Sequence, residues 1–211
     1  MEFEGVTFST TKLERLKAFY TKTLELPLTH ETAEDFSVLV GHTLLTFEAY
    51  EGEGDPFYHF AMNIPSNKVN EAKTWLEQRV TLKEYKNNPI VSFKSWNAHA
   101  LYFEDPAGNI VELIARHNLN QRIDVPFDSQ ALQCISEVGI VTCDLDAQTK
   151  QFERMGVPVW DQGSEHFRAL GNENGLFIAV SDNRLWFMSE RKSELYPLTI
   201  QTRTNGKLVF M

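Results

Sequence analysis

The sequence of 211 residues predicts an α+β fold built from repeated units, in each of which one strand precedes a helix and further strands follow it. Two observations predict it. A strand-like segment followed by a helical apolar period begins near residue 3, and the same order starts again near residues 57 and 135. Short apolar segments separated by turn residues then fill each unit. We expect two of these β-α-β-β-β units to pair into a cup, with a third unit C-terminal to them.

The first unit begins with a strand over residues 3–9, where apolar and small residues alternate. Apolar residues at helical spacing predict an amphipathic helix over residues 12–25, which Pro27 ends. Two further strands, over residues 36–40 and 43–50, are joined by a tight turn. Loop residues rich in glycine and proline then close the unit.

The second unit starts with a strand over residues 57–64, and Ser66 or Asn67 can cap a helix that runs to about residue 79. The segment Asp105-Pro106-Ala107-Gly108-Asn109 is a turn, because proline presets φ, glycine adopts a positive φ and asparagine tolerates left-handed backbone. The predicted strands after the helix are 82–85, 98–103 and 110–115.

Glu112 is the one carboxylate in the apolar strand that follows this turn. An unpaired charge among such neighbours is too costly to bury. The residue therefore lies either on a solvated face of its strand or in a site that holds a cation.

The third unit follows a polar, proline-containing segment that we interpret as a linker. Asp144 is predicted to cap its helix, and Asn205-Gly206 to form the turn of a C-terminal hairpin. The predicted domains are a paired domain over 1–116, a linker over 117–131 and a third module over 132–211. The predicted elements of the third module are strands 135–143, 157–160, 166–170, 176–180 and 185–188, a helix 145–155 and a hairpin of 198–202 and 207–210.

Composition and missing motifs exclude several classes of function. The net charge of −9 argues against a nucleic-acid or anionic-membrane surface. No apolar run approaches the ~18 residues of a membrane span, and no signal segment precedes the first strand, so a soluble, cytoplasmic protein is expected. The motifs GxSxG, GxxxxGK[ST], GxGxxG and HExxH are all absent. Cys134 and Cys143 fit no disulfide framework and are interpreted as reduced.

Two segments resemble the vicinal oxygen chelate superfamily, which includes glyoxalase I, bleomycin-resistance proteins, fosfomycin-resistance enzymes and extradiol dioxygenases. Residues 5–20 resemble the opening strand and the helix that ends in Phe-Tyr, and residues 103–113 are similar to the closing signature. The resemblance implies a small-molecule cup. It also implies a metal site of up to four inward-facing residues, one from the first and one from the last strand of each half.

By this resemblance, His59 and Glu112 are the expected metal ligands, and Glu48 is a further candidate whose inward position Leu45 could equally occupy. An imidazole and carboxylates suit a divalent zinc, iron, manganese or nickel ion. The enzyme that this implies is a lyase, isomerase or dioxygenase of small oxygenated molecules. Tyr102 lies where extradiol dioxygenases keep a substrate-facing tyrosine, so Glu112 and Tyr102 are the candidate catalytic residues.

Gly5 departs from the family pattern, because it lies where the first strand is expected to supply a ligand. This departure favours the alternative hypothesis of a metal-free protein that sequesters a small molecule, as resistance proteins of the superfamily do. Glu137 occupies the same position in the third unit, but with apolar Ile178 on the last strand it lacks a visible co-ligand, and we interpret it as a structural or interface residue. The unpaired third unit must either cap the first two units or pair with the same unit of another chain, and its exposed sheet face favours a homodimer. Four aromatic residues are interpreted as packing residues: Trp160, Phe167, Trp186 and Phe187.

Overall fold

The computed structural model describes residues 1–211 and confirms the repeated α+β fold that the sequence predicts. Three successive units each contain a strand, a helix and three strands, and a two-stranded hairpin follows. No helix has both the length and the apolar character that crossing a bilayer requires. The first unit contains β1 (Phe3–Thr10), α1 (Leu13–Ala18), β2 (Leu28–Glu31), β3 (Asp35–Val40) and β4 (Thr43–Ala49). The second contains β5 (His59–Ile64), α2 (Val69–Glu77), β6 (Val91–Phe93), β7 (Ala98–Glu104) and β8 (Ile110–Arg116). The third contains β9 (Cys134–Thr142), α3 (Leu145–Arg154), β10 (Val159–Ser164), β11 (Phe167–Asn172) and β12 (Gly175–Ser181), and the hairpin is β13 (Leu198–Thr202) and β14 (Gly206–Phe210).

The strands form two sheets. The eight-stranded sheet has the order β10-β11-β12-β9-β5-β8-β7-β6 and joins the second unit to the third. The six-stranded sheet has the order β14-β13-β1-β4-β3-β2 and joins the first unit to the hairpin. The two units of the larger sheet meet where β5 pairs antiparallel with β9.

This pairing corrects the predicted one, in which the first and second units form the cup across residues 1–116. The physical reason is burial. All residues of β5 and β8 and the first seven of β9 are buried, and strands buried on both faces lie inside a sheet with neighbours on both edges. In the six-stranded sheet, Gly5, Thr7 and Thr46 are partly exposed and Glu48 is exposed. The first unit therefore forms no wall of the cup, which accounts for the missing ligand at Gly5.

The three units share one apolar core. The ring of Phe8 on β1 stacks on Tyr58 at a centroid distance of 4.4 Å, which packs the first unit against the second. Phe177 on β12 lies 5.3 Å from Phe3 and stacks on Phe152 of α3 at 4.4 Å, which packs the third unit against the first. The third unit thus finds its partners within the chain and does not leave the unpaired sheet from which a homodimer was predicted.

The turn between β7 and β8 forms as predicted. The Asp105 carboxylate accepts hydrogen bonds from the backbone N–H of Ala107 at 2.9 Å and of Asn109 at 3.1 Å, and Gly108 adopts a φ of 84°. The buried hydroxyl of Tyr20 donates to the same carboxylate at 2.7 Å, from a π-helical turn (Phe19–Thr23) that continues α1. The turn is therefore fixed both locally and by the first unit, and it sets the register of β8.

Two predicted strands are irregular instead. The segment 82–85 precedes a turn at Lys86 and Asn87, whose φ values are 53° and 60°. The first strand after α2 is β6 instead. The segment 185–188 belongs to a longer connection between β12 and β13, residues 182–197, which we call the strap. Positive φ values at Asn183 and Met188 turn its chain, so it cannot run as an extended strand. One edge strand, β2, was not predicted. Short one-turn 3₁₀ segments occur at Lys94–Trp96 and Ser129–Ala131.

Candidate functional site

A cluster of one imidazole and two carboxylates lies at the centre of the eight-stranded sheet. His59 and Ala61 project from the same face of β5 because side chains alternate along a strand. Glu112 on β8 and Glu137 on β9 are both in register with Ala61, one on each side. The Nε2 atom of His59 lies 3.7 Å from Oε2 of Glu112 and 3.9 Å from Oε2 of Glu137. Three strands thus bring three buried ligand-type side chains to one point.

The imidazole is held in one orientation. Nδ1 of His59 lies 3.1 Å from the backbone carbonyl oxygen of Ile110. A carbonyl oxygen only accepts hydrogen bonds, so Nδ1 carries the proton, and in the neutral ring the lone pair belongs to Nε2. The metal-ligating nitrogen is therefore the one that faces the two carboxylates.

Arg116 supplies a buried positive charge beside the cluster. Its Nη2 donates to Oε1 of Glu137, and its Nε donates to Oδ1 of Asn63 at 3.1 Å, whereas Nη1 has no hydrogen-bond partner. The Arg116 side chain is fully buried. This ion pair neutralises one carboxylate and leaves Oε2 of Glu137 directed at His59.

The second carboxyl group is destabilised in its charged form. Burial raises the pKa of Glu112 well above its usual range, and the charge of Glu137 raises it further, although Tyr102 and Arg116 act in the opposite direction. Tyr102, the cross-strand partner of Glu112, has a pKa raised well above that of a free phenol by burial and by the neighbouring Glu112 and Glu137. The cluster therefore favours a proton or a cation between its carboxylates, and Tyr102 stays protonated.

A cavity of about 350 Å³ opens above the cluster, which is within the size range of small-molecule sites. The carboxylate of Asp161 is already occupied, accepting from Trp96 Nε1 at 2.7 Å and from the N–H of Gly163 at 2.8 Å. Aromatic rings dominate the rest of the lining. The lining residues are His59, Phe93, Trp96, Tyr102, Glu112, Glu137, Asp161, Gly163, Ser164, Phe167, Ile178, Arg184, Trp186 and Phe187.

The two paired units contribute to the site in related positions. On the first strand of each unit, a ligand-type residue precedes a small residue by two positions: His59 before Ala61, and Glu137 before Gly139. On the last strand, the residue in register with the small residue is Glu112 in the second unit and Ile178 in the third. Three corners of a four-cornered site thus carry ligand-type side chains, and the apolar side chain of Ile178 occupies the fourth.

The structure brings His59, Glu112 and Tyr102 together, as the sequence predicts, but not Glu48. That carboxylate is exposed on the six-stranded sheet, where it accepts a hydrogen bond from Ser9 Oγ at 3.2 Å. Glu48 is a candidate metal ligand only if the first unit forms part of the cup, and the first unit does not.

Glu137 was missed as a site residue. The sequence shows that Glu137 lies on the first strand of the third unit. It does not show that this strand pairs with the strand of His59, which is what brings Glu137 to the site. Of the four aromatic residues interpreted as packing, Phe167, Trp186 and Phe187 line the cavity, and only Trp160 does not.

Comparison with known proteins supports the fold. No protein-family model matches the chain, and no curated protein is significantly similar to it in sequence. Among solved structures, a proposed dioxygenase from Bacillus subtilis is similar over 99% of this chain and 84% of its own, with a TM-score of 0.63 and 12% identity. A glyoxalase I variant from Zea mays (V278E) is similar over 99% of this chain and 91% of its own, with a TM-score of 0.58 and 12% identity. These likenesses confirm the predicted fold, that of the vicinal oxygen chelate superfamily.

Proposed function

We propose that the eight-stranded cup binds a divalent cation through His59, Glu112 and Glu137 and acts on a small oxygenated molecule as a lyase, isomerase or dioxygenase. One observation carries the proposal. The ligand atoms of these three buried residues lie within 4.8 Å of one another at the floor of a cavity that is large enough for a small molecule.

The donor set fits a divalent transition metal. One imidazole nitrogen and two carboxylate oxygens are ligands that zinc, iron, manganese and nickel accept. Burial, and after it the charge of Glu137, raises the pKa of Glu112, so a proton or a cation at this carboxylate is favoured. Such an ion, when bound, polarises substrate oxygens and stabilises negative charge that develops on them.

The chain's own groups have defined roles around that chemistry. The backbone carbonyl of Ile110 keeps Nε2 of His59 directed at the cluster, as outer-shell partners of ligating histidines do. The hydroxyl of Tyr102 stays protonated, and its one O–H donates either to the Glu112 carboxylate or to a substrate oxygen. Aromatic side chains of the lining exclude water and pack against the substrate.

A second candidate is metal-free binding of a small molecule in the same cup. Two observations favour it: Arg116 already neutralises Glu137, and Ile178 occupies the fourth corner. In this alternative, a proton on Glu112 replaces the cation, and the carboxyl groups orient the ligand by hydrogen bonds.

Metal content after loading with Mn²⁺ and gel filtration separates the two candidates. The variants are His59→Ala and, as a matched control on the other sheet, Glu48→Gln. The proposal expects about one equivalent of metal per chain in the wild type and in Glu48→Gln, and a loss in His59→Ala. Equal metal content in wild type and His59→Ala, or none in either with the fold intact, contradicts metal binding here and favours the second candidate.

A further inference from the structure

The wall of the cavity opposite the cluster comes from the strap, residues 182–197, which belongs to none of the three repeated units. Trp186 is buried against His59, with a centroid distance of 5.4 Å, and Phe187 packs against Tyr102 at 5.7 Å. Arg191 fixes the strap to the second unit, since its guanidinium carbon lies 3.5 Å from the ring centroid of Phe57. The strap therefore closes over the cluster and supplies side chains that the paired units lack.

Arg184 is a strap residue that lines the cavity with a free guanidinium group. Its backbone N–H donates to Ser193 Oγ at 2.9 Å, but its side chain forms no hydrogen bond and no ion pair. The nearest π contact is the ring of Phe167, 5.6 Å from its guanidinium carbon. Partial burial lowers the pKa of the Arg184 guanidinium.

Other arginines near the cavity have partners. Arg116 is paired with Glu137, Arg191 donates to the backbone carbonyl of Asp55 at 3.2 Å, and Arg168 donates to the backbone carbonyl of Phe167 at 2.9 Å. Asp161, the remaining carboxylate in the lining, bonds to Trp96 and Gly163 and forms no ion pair with Arg184. The guanidinium of Arg184 is thus the cation in the lining that remains available to a ligand.

The aromatic residues beside Arg184 suit a flat ligand. Trp96 lies 6.5 Å from Phe167 and 6.0 Å from Phe93, and Phe93 lies 6.0 Å from Phe187. Rings stack on planar π systems and add energy beyond the area that they bury. A planar molecule packed against this wall of rings would share the cavity with Arg184, which lies beside Phe167.

The charge of the loaded cavity also favours an anion. Three carboxylates, those of Glu112, Glu137 and Asp161, are opposed by Arg116, Arg184 and a divalent ion, which leaves one net positive charge. A monoanionic ligand neutralises it. A guanidinium binds a carboxylate through two parallel hydrogen bonds, so a carboxylate is the anion that its geometry matches best.

We infer that the ligand of this cavity is a planar aryl carboxylate, whose ring packs among the aromatic residues and whose carboxylate binds Arg184. The inference deepens the proposed function and rests on it for the shared cavity and for the divalent ion in the charge balance, whereas the free guanidinium of Arg184 and the aromatic wall do not depend on that ion. Arg184 is then the residue that determines specificity for an acid over its uncharged analogue.

Benzoate and benzamide test this inference, because they share the ring and differ in charge. Binding of each is measured by titration calorimetry and by quenching of tryptophan fluorescence, with Mn²⁺ and separately after chelator treatment. The proteins are wild type, Arg184→Met, Arg184→Lys and the control Arg122→Met, whose residue is exposed on the linker segment.

Wild type and Arg122→Met are expected to bind benzoate about tenfold more tightly than benzamide, which corresponds to one charge-assisted interaction. Arg184→Met is expected to remove this preference by weakening benzoate alone, and Arg184→Lys to retain part of it. An unchanged preference in Arg184→Met overturns the inference. So does a wild type that binds benzoate no better than benzamide or not at all.

The chelator separates this inference from the proposed function. A preference that persists without metal and depends on Arg184 supports the inference even if His59→Ala shows that no metal is bound. A preference that disappears with the chelator and is unaffected by Arg184→Met assigns the carboxylate to the cation. That result overturns the role of Arg184 while leaving the metal site intact.

Discussion

Glu112 and Glu137 lie on opposite sides of Ala61, each in register with it, although they come from different repeated units. His59 stands two residues before Ala61 on the same strand, so the three polar side chains project from one face. The cluster therefore exists only because β5 pairs with β8 on one edge and with β9 on the other. The methyl side chain of Ala61 leaves the space between the two carboxylates open.

Replacing Glu137 by glutamine should weaken cation binding. The substitution keeps the shape of the side chain but removes one of the two charges that face Nε2 of His59. We expect the dissociation constant for Mn²⁺ to rise about tenfold or more, measured by titration calorimetry. Glu48→Gln changes the same residue type on the six-stranded sheet and should leave the constant unchanged. Equal constants for wild type and Glu137→Gln would remove Glu137 from the ligand set.

Arg116→Met should destabilise the fold. The variant leaves the Glu137 carboxylate buried without its counter-ion, and breaking a buried ion pair from one side costs about 3–5 kcal/mol. In Arg116→Met/Glu137→Gln the charge is gone as well, so part of that stability should return. Urea unfolding of the single and double variants in chelator measures the coupling. Additive effects would contradict a direct interaction between the two residues.

The local parts of this fold were predictable from the sequence. Asp105 to Asn109 form the predicted turn, in which Gly108 has the expected positive φ while Asn109 does not adopt the left-handed backbone, and Asp144 caps α3 by accepting from the N–H of Ala147. His59 and Glu112 were placed correctly on their strands, since strand alternation is also a local property. Each of these features depends on residues that are close in sequence.

The non-local parts were not predictable. Three similar units can pair in more than one way, and adjacency in sequence suggested the first and second. That choice made Gly5 a missing ligand, Glu48 a candidate and Glu137 a structural residue, and all three interpretations change once β5 pairs with β9. Nothing in the alternation of residues 185–188 indicated that Trp186 and Phe187 cover the site, because the turns that redirect the strap depend on tertiary contacts.

Tyr20→Phe should destabilise the protein without affecting the site. The Tyr20 hydroxyl donates at 2.7 Å to the buried carboxylate of Asp105, and removing one partner of a buried hydrogen bond costs about 1–3 kcal/mol. Tyr50→Phe is the matched control, because its hydroxyl makes only an exposed bond to the backbone of Glu53. Chemical denaturation should show a loss for Tyr20→Phe that clearly exceeds that for Tyr50→Phe, with Mn²⁺ content equal in both. Similar losses would contradict a stabilising role for the buried bond.

The two cysteines should differ in reactivity. Cys143 is exposed, whereas Cys134 is buried, and burial raises the pKa of its thiol to about 11. The thiolate is the reactive form, so at pH 8 iodoacetamide should modify Cys143 in the native protein and both residues in denaturant. Mass spectrometry of the intact chain counts the adducts. Cys143→Ser should remain unmodified until it is unfolded, and rapid native labelling of that variant would show that Cys134 is accessible.

Gly139→Ala should disturb the contact between the strap and the cluster. A Cβ atom at Gly139 would lie 2.7 Å from Cη2 of Trp186 and 3.2 Å from the backbone oxygen of His59, so the indole must move. Overpacking of this kind costs about 1–3 kcal/mol, and displacement of Trp186 from its buried position should shift tryptophan emission to longer wavelength.

Gly5→Ala is the control for that substitution, because a Cβ atom there meets nothing closer than 3.6 Å and φ is not positive. We expect its stability to be unchanged or slightly raised, with wild-type emission. If Gly139→Ala behaves like Gly5→Ala in unfolding and fluorescence, Trp186 does not rest on Gly139. The strap then does not close over His59 in solution, and the cavity wall that contains Arg184 is lost with it.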